Sequence, residues 1–291
     1  IDDGGIDAFM EKLIITAALT GNVPTREMTP HVPLTPAEIA ADVRRCAEAG
    51  ASLVHVHARD AVGRPTLDRT VFKETVGRIK REAPEVIIQL STGARAGRDW
   101  EARANPVRLL PEMASFTTGS NNLPGIVYEN APDFLLFLAG VFQDTGVKPE
   151  IEVFEAGMIN NAMFLVKKGL LAMPLHFDFV LGAPGAMPGT VRNLVFLADT
   201  LPPGATWTVA GIGPAEIPLA TAAIAMGGHV RVGIEDNLHL PDGALATNAQ
   251  LVQTAATIAR TMGRQIATPA EARQILSLDP ENKDRIRTQI D

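Results

Sequence analysis

His55 and His57 stand two residues apart in the run Leu53-Val54-His55-Val56-His57-Ala58-Arg59-Asp60. On a β-strand, residues i and i+2 project from one face, so the two imidazoles can converge on one point. A converging imidazole pair is half of a transition-metal site, and such a site with open positions can act as a Lewis acid. A lone histidine in an apolar run is more often a hydrogen-bonded core residue. A second one in register, with carboxylates at another run's end, favours a metal. Those carboxylates are Glu235 and Asp236 in Arg231-Val232-Gly233-Ile234-Glu235-Asp236-Asn237. They could be solvated loop charge, but after a buried strand two adjacent carboxylates repel unless a cation divides their roles. Arg231 can pair with one of them if the chain turns near Gly233.

Groups this far apart in sequence need a scaffold that gathers strand ends. Eight short apolar or β-branched runs stand at 13–18, 53–57, 86–90, 113–117, 151–155, 177–181, 206–209 and 230–234, and a helical pattern separates most of them. Thr35-Pro36-Ala37-Glu38 reads as a capping box with proline in the first turn. Ile39, Val43, Cys46 and Ala47 follow as the buried face, and Gly50 closes the helix. Val71, Thr75, Val76 and Ile79 mark the next helix, ended by Pro84. Residues 93–111 read as a loop with a short helix. A last capped segment begins at Thr268-Pro269-Ala270-Glu271 and runs to about Leu278.

Strand and helix alternating eight times without a linker predict a (β/α)8 TIM barrel, one catalytic domain over 10–291. An open doubly wound sheet would want a glycine fingerprint after the first strand, and Thr20-Gly21-Asn22-Val23-Pro24 is not one. Residues 1–9 are expected to be a leader or an expression remnant outside the fold.

In such a barrel the chemistry belongs at the carboxyl ends of the strands. Polar groups do collect there, in Gln89-Leu90-Ser91-Thr92-Gly93, in Ser115-Phe116-Thr117-Thr118-Gly119-Ser120-Asn121 and in Glu155-Ala156-Gly157. Gly211-Ile212-Gly213, just before a helix, is a candidate phosphate cradle. The glycine-rich loop 182–189 is shaped for close backbone approach. His176 and His229 begin their runs, at the opposite end, and read as structural. His31 and His239 fall in loops.

A formal net charge of −7 argues against nucleic acid as the main partner. No apolar run reaches the roughly 18 residues of a membrane span. Cys46 is the single cysteine, which excludes an intramolecular disulfide and a thiolate cluster. A cytoplasmic enzyme fits these constraints.

Several stretches together resemble the β-keto acid cleavage enzymes. They include 14–21, His55-Val56-His57-Ala58-Arg59, Gln89-Leu90-Ser91-Thr92-Gly93, Pro111-Glu112-Met113-Ala114-Ser115, 152–158, Phe179-Val180-Leu181-Gly182, 207–213 and 228–237. The resemblance runs from about Leu13 to Leu278. It implies a zinc-dependent barrel that exchanges acyl groups between a β-keto acid and acetyl-CoA, releasing acetoacetate and a new acyl-CoA. By the same resemblance the metal ligands fall on His55, His57 and Glu235, and the general base on Asp236, in a dyad with Arg231. Contacts to the substrate carboxylate and keto group fall on Ser91, Ala94 and Ser115. The resemblance also implies a homo-oligomer, such as a tetramer.

One departure bears on the substrate. Family members that take an aminated substrate carry an acidic residue just after the first strand, where this chain has Val23. A buried ammonium facing valine would be unpaired unless Glu155 supplied the charge. Arg95 could instead read a second carboxylate. The rival reading is a metal-dependent hydrolase of the amidohydrolase kind. It would place the histidine pair on the first strand and further histidines after the fifth and sixth, where this chain has Glu155 and Leu181-Gly182.

Overall fold

The structure, a computed structural model, describes residues 10–290. The expectation for residues 1–9 lies outside the described residues. The eight runs form eight parallel strands: β1 (Ile15–Ala18), β2 (Leu53–Val56), β3 (Ile87–Leu90), β4 (Met113–Thr117), β5 (Lys148–Val153), β6 (His176–Leu181), β7 (Thr206–Gly211) and β8 (His229–Val232). Each pairs with the next, and β8 closes on β1 with Thr16 opposite Arg231. The closed parallel barrel expected from the alternation is present.

Eight helices cover it: α1 (Pro36–Ala49), α2 (Arg69–Glu82), α3 (Trp100–Arg108), α4 (Pro132–Thr145), α5 (Gly157–Lys167), α6 (Val191–Asp199), α7 (Glu216–Met226) and α8 (Asn248–Thr261). The local signals act as the chemistry requires. Thr35 caps α1 and Glu38 returns the bond to the Thr35 N–H, so two otherwise orphaned donors are satisfied. Ile39, Val43 and Cys46 form its buried face, and Gly50 ends it. α1 packs between α2 and α8.

Alternation along the strands divides the molecule into two interiors. Outward residues such as Ile15, Val54, Ile88, Phe116, Ile151, Phe179, Val209 and Val232 join the apolar layer beneath the helices. Inward residues at the amino-terminal end are apolar, where Ile14, Leu53, Ile87 and Met113 meet Ala267, Ala272, Leu276 and Leu278. Most of that plug comes from α9 (Pro269–Ile275) and the turn after it, tied to β1 by a bond from the Ala267 N–H to the Leu13 carbonyl. Above the plug the barrel interior is polar, with His55, Gln89, Ser115, Glu150, Glu152, Asp178, Thr208 and Arg231 all buried. Among the described residues the amino-terminal mouth is thus shut, and the polar interior opens at the carboxyl end.

Several strand ends differ from expectation by one to three residues. β5 begins at Lys148 and ends at Val153, so Glu155 lies past the strand. The polar start Lys148-Pro149-Glu150 hid it, because Glu150 faces a polar interior. β7 continues to Gly211. Beyond the barrel, two short antiparallel ribbons rise at the carboxyl face, Ala58–Arg59 with Pro65–Thr66 and Asn121–Leu123 with Ile126–Tyr128. The loop after β6 crosses the second ribbon closely, since a Cβ on Gly185 would lie 1.9 Å from the Asn122 carbonyl oxygen. Among the described residues no helix is long and apolar enough to cross a membrane.

Candidate active site

The i, i+2 geometry brings the histidine pair together at the end of β2, and the turn after β8 supplies the carboxylate. The Nε2 atoms of His55 and His57 are 3.1 Å apart, and Glu235 Oε1 lies 3.6 and 3.1 Å from them. Bonds of ~2.0–2.1 Å around a tetrahedral ion separate its ligands by about 3.3 Å, so the three atoms have the spacing of a zinc ligand set. The outer ring nitrogens support that reading. Gln89 Oε1 faces His55 Nδ1, and Asn22 Oδ1 lies 3.1 Å from His57 Nδ1. Each amide oxygen accepts an Nδ1–H, which turns both Nε2 lone pairs toward the common centre. Burial, opposed by Glu235, holds His55 down to about 4, and so neutral as a ligand must be. The other oxygen of the Glu235 carboxylate, Oε2, is buried without a hydrogen-bond partner and so keeps its lone pairs free. The residues present fit a divalent transition ion.

Beside them the chain turns back on itself. A Cβ at Gly233 would lie 2.1 Å from the Ala18 carbonyl oxygen, so only glycine lets β8 leave the barrel this close to β1. The N–H groups of Asp236 and Asn237 both donate to the Gly233 carbonyl, and that of Glu235 donates to Ala18. This turn lays both carboxylates over the guanidinium of Arg231. Nε donates to Asp236 Oδ2 at 2.8 Å, while Nη2 reaches Asp236 Oδ1 at 3.1 Å and Glu235 Oε1 at 2.7 Å. Nη1 faces Asp178 at 3.4 Å and Glu152 at 3.6 Å. Burial alone would lower the Arg231 pKa, but Asp236, Glu235, Asp178 and Glu152 together push it well above its ordinary value. Burial also raises Glu235, yet His57, Arg231 and His55 outweigh that and hold it well below the usual carboxylate range. Asp236 goes the other way. Burial raises it to about 6 against the pull of Arg231, which leaves a buried carboxylate that can take and return a proton near neutrality.

The cluster forms the floor of a cavity of about 380 Å³. Ser91, Val23, Arg95, Tyr128, Phe154 and Leu238 are among its walls. Ala94 and Ser115 are buried just behind it: Ala94 opens the short 3-10 turn after β3, and Ser115 Oγ accepts from the Thr92 N–H. Glu155 is exposed and does not line the cavity. Glu152, three residues earlier on β5, does. It accepts from Thr117 and is raised mainly by burial, with Arg231 pulling the other way. Sequence reasoning missed Glu152 and Asp178. Their signal was a polar residue at every second position, Glu150 and Glu152 on one strand, His176 and Asp178 on the next.

The phosphate cradle at Gly211-Ile212-Gly213 is not supported. Its N–H groups are spent within the fold: Ile212 donates to Leu181, Gly213 to Asp236 and Ala215 to Ile212. Gly211 is required by packing, since a Cβ there would lie 2.6 Å from the Ala215 carbonyl oxygen. His176 and His229 lie at the amino-terminal end as expected, bonded to Thr206, Thr208 and the Ile14 N–H.

Residues 12–278 match the family model for the β-keto acid cleavage enzymes. The chain belongs to that family. Its relatives within the family are similar over nearly their full length. A 3-keto-5-aminohexanoate cleavage enzyme of Fusobacterium nucleatum is 46% identical over 271 residues, 92% of this chain and 99% of that one. A 3-oxoadipate:acetyl-CoA acetyltransferase of Cupriavidus necator is 40% identical, over 91% of this chain and 94% of its own length. Among solved structures, apo ObcA superposes with a TM-score of 0.74 at 24% identity, over 86% of this chain and 66% of ObcA, a likeness of fold.

Proposed function

We propose that the protein is a zinc-dependent acyltransferase that converts a β-keto acid and acetyl-CoA into acetoacetate and a new acyl-CoA. The observation that carries the reading is the meeting of His55, His57 and Glu235 with the Arg231–Asp236 pair on one cavity floor. The names of its relatives support the co-substrate, since several are acetyl-CoA transferases.

In this reading His55, His57 and Glu235 hold the ion, with Asp236 left free as a base. Zinc, when bound, supplies Lewis-acid polarisation of the substrate's keto group. Asp236 takes a proton from C2, and Arg231, buried and always charged, keeps that carboxylate ionised between turnovers. C2 then attacks the acetyl thioester and the CoA thiolate leaves. The thiolate adds to the former keto carbon, the bond from that carbon to C2 breaks, and C2 recovers its proton from Asp236. Ser91 and the backbone around Ala94 and Ser115 orient the substrate's carboxylate and keto oxygen. Val23 faces the distal end and Glu155 lies away from it, so an aminated substrate finds no dedicated counter-charge at either position. We assign the chain, over 10–291, as one cytoplasmic catalytic domain. Exposed Phe164 on α5 and Val191, Val195 and Phe196 on α6 support a homo-oligomer.

The test is direct: zinc-loaded protein is given acetyl-CoA and a panel of β-keto acids, and acetoacetate is assayed. Acetoacetate formation that needs both substrates supports the reading. Its absence across the panel, with a working control enzyme, rejects it.

A further inference from the structure

Every charged residue lining the cavity is matched within the fold except one. Arg231 holds Asp236 and Glu235, Glu152 lies against Arg231 and Thr117, and His57 is placed between Asn22 and Glu235. Arg95 lines the same cavity and, among the described residues, has neither an ion-pair nor a hydrogen-bond partner. Its neighbour shows that partners are within reach of this loop, since Arg98 pairs with Glu129 at 3.8 Å. Arg95 is half-buried in the 3-10 turn Ala94–Ala96, four residues past Ser91. Val23, Leu123, Pro124 and Tyr128, which line the same cavity, are uncharged. A half-buried guanidinium has lost part of its hydration, and its planar fork suits two oxygens of one anion.

We propose that Arg95 is the anion-binding residue of this site and takes the far end of a substrate. This rests on the proposed reaction, which supplies two sources of the same chemistry. One is a second carboxylate, at the distal end of a dicarboxylic β-keto acid. The other is a phosphate of the CoA moiety. In both cases the inner end of the cavity holds the reacting atoms, and Arg95 binds a charge that the rest of the wall cannot meet.

The experiment compares wild type, Arg95→Met and Arg95→Lys. Binding of 3-oxoadipate, 3-oxohexanoate, acetyl-CoA and acetyl-pantetheine is measured by calorimetry, and kcat and KM are measured for both acids. A distal carboxylate on Arg95 predicts that preference for the diacid over the neutral acid falls about 10- to 100-fold in Arg95→Met, with partial recovery in Arg95→Lys. A CoA phosphate on Arg95 predicts a similar loss in acetyl-CoA binding, whichever acid is present, and none for acetyl-pantetheine. If the methionine variant binds the diacid and acetyl-CoA as wild type does, the proposal is overturned. If binding depends on Arg95 but no acid is turned over, the anion site stands and the proposed reaction fails.

Discussion

At the scale of single residues, the proposed reaction assigns metal binding and proton transfer to two adjacent carboxylates. Glu235 is drawn toward the imidazoles and held ionised, while Asp236 faces Arg231 and is pushed up toward neutrality by burial. Asp236→Asn is expected to lower kcat by about 10²–10⁴-fold while zinc content, read by elemental analysis, stays at the wild-type level. Loss of zinc in that variant would show that the roles were divided wrongly. Glu235→Gln is expected to do the reverse, depleting zinc first. His55, His57, Arg231, Glu235 and Asp236 were legible in sequence, because strand periodicity and adjacency are local signals. Glu152 and Asp178 were not, although they complete the charge around Arg231 from strands more than 50 residues away in sequence. No local pattern states which distant carboxylate will face which guanidinium.

At the scale of elements, the turn from Gly233 to Asn237 depends on supports from two helices. Glu216, at the start of α7, accepts from the Gly233 N–H at 2.9 Å and from the Asn237 amide at 3.1 Å. Asn248, at the start of α8, accepts from the Ile234 N–H at 2.7 Å while donating to Leu19 and Asp42. Gly233→Ala forces a Cβ against β1 at a positive φ of 153°. It is expected to destabilise by at least about 1–3 kcal/mol and to weaken zinc binding, both readable by thermal melts with and without metal. Burial raises the Glu216 pKa well above 4.5, against the pull of the Gly233 and Asn237 bonds. The folded state therefore holds this proton more tightly than the unfolded chain does. The associated stability is full below the unfolded value and is lost as pH rises through the folded one. Glu216→Gln removes that loss, so the wild-type advantage in Tm over this variant should shrink as pH rises from 5 to 8. An advantage that grows with pH would contradict the assignment. Helix caps were plain in sequence at Thr35 and Thr268, since the capping box is a four-residue pattern. The start of β5 was not, because a polar inward face imitates a loop.

At the scale of the whole molecule, the barrel is a cup with a sealed base. Ala267, Ala272, Leu276 and Leu278 close the amino-terminal end over Ile14, Leu53, Ile87 and Met113. Leu276→Ala, removing a buried side chain from that plug, is expected to cost about 2–5 kcal/mol without changing KM, since it lies at the end away from the cavity. The eightfold alternation was readable because the outward faces of parallel strands are continuously apolar beneath their helices. The distal wall of the cavity was not, because the ribbon carrying Leu123 and Tyr128 interrupts the repeat and has no periodicity of its own. The measurement that tests the central claim most directly is acetoacetate formation from a β-keto acid and acetyl-CoA, followed through removal and return of zinc. Turnover that requires both substrates, vanishes with chelation, returns with zinc and is lost in Asp236→Asn is the predicted result. Turnover that ignores acetyl-CoA, or that survives complete removal of metal from the His55–His57–Glu235 site, would contradict it.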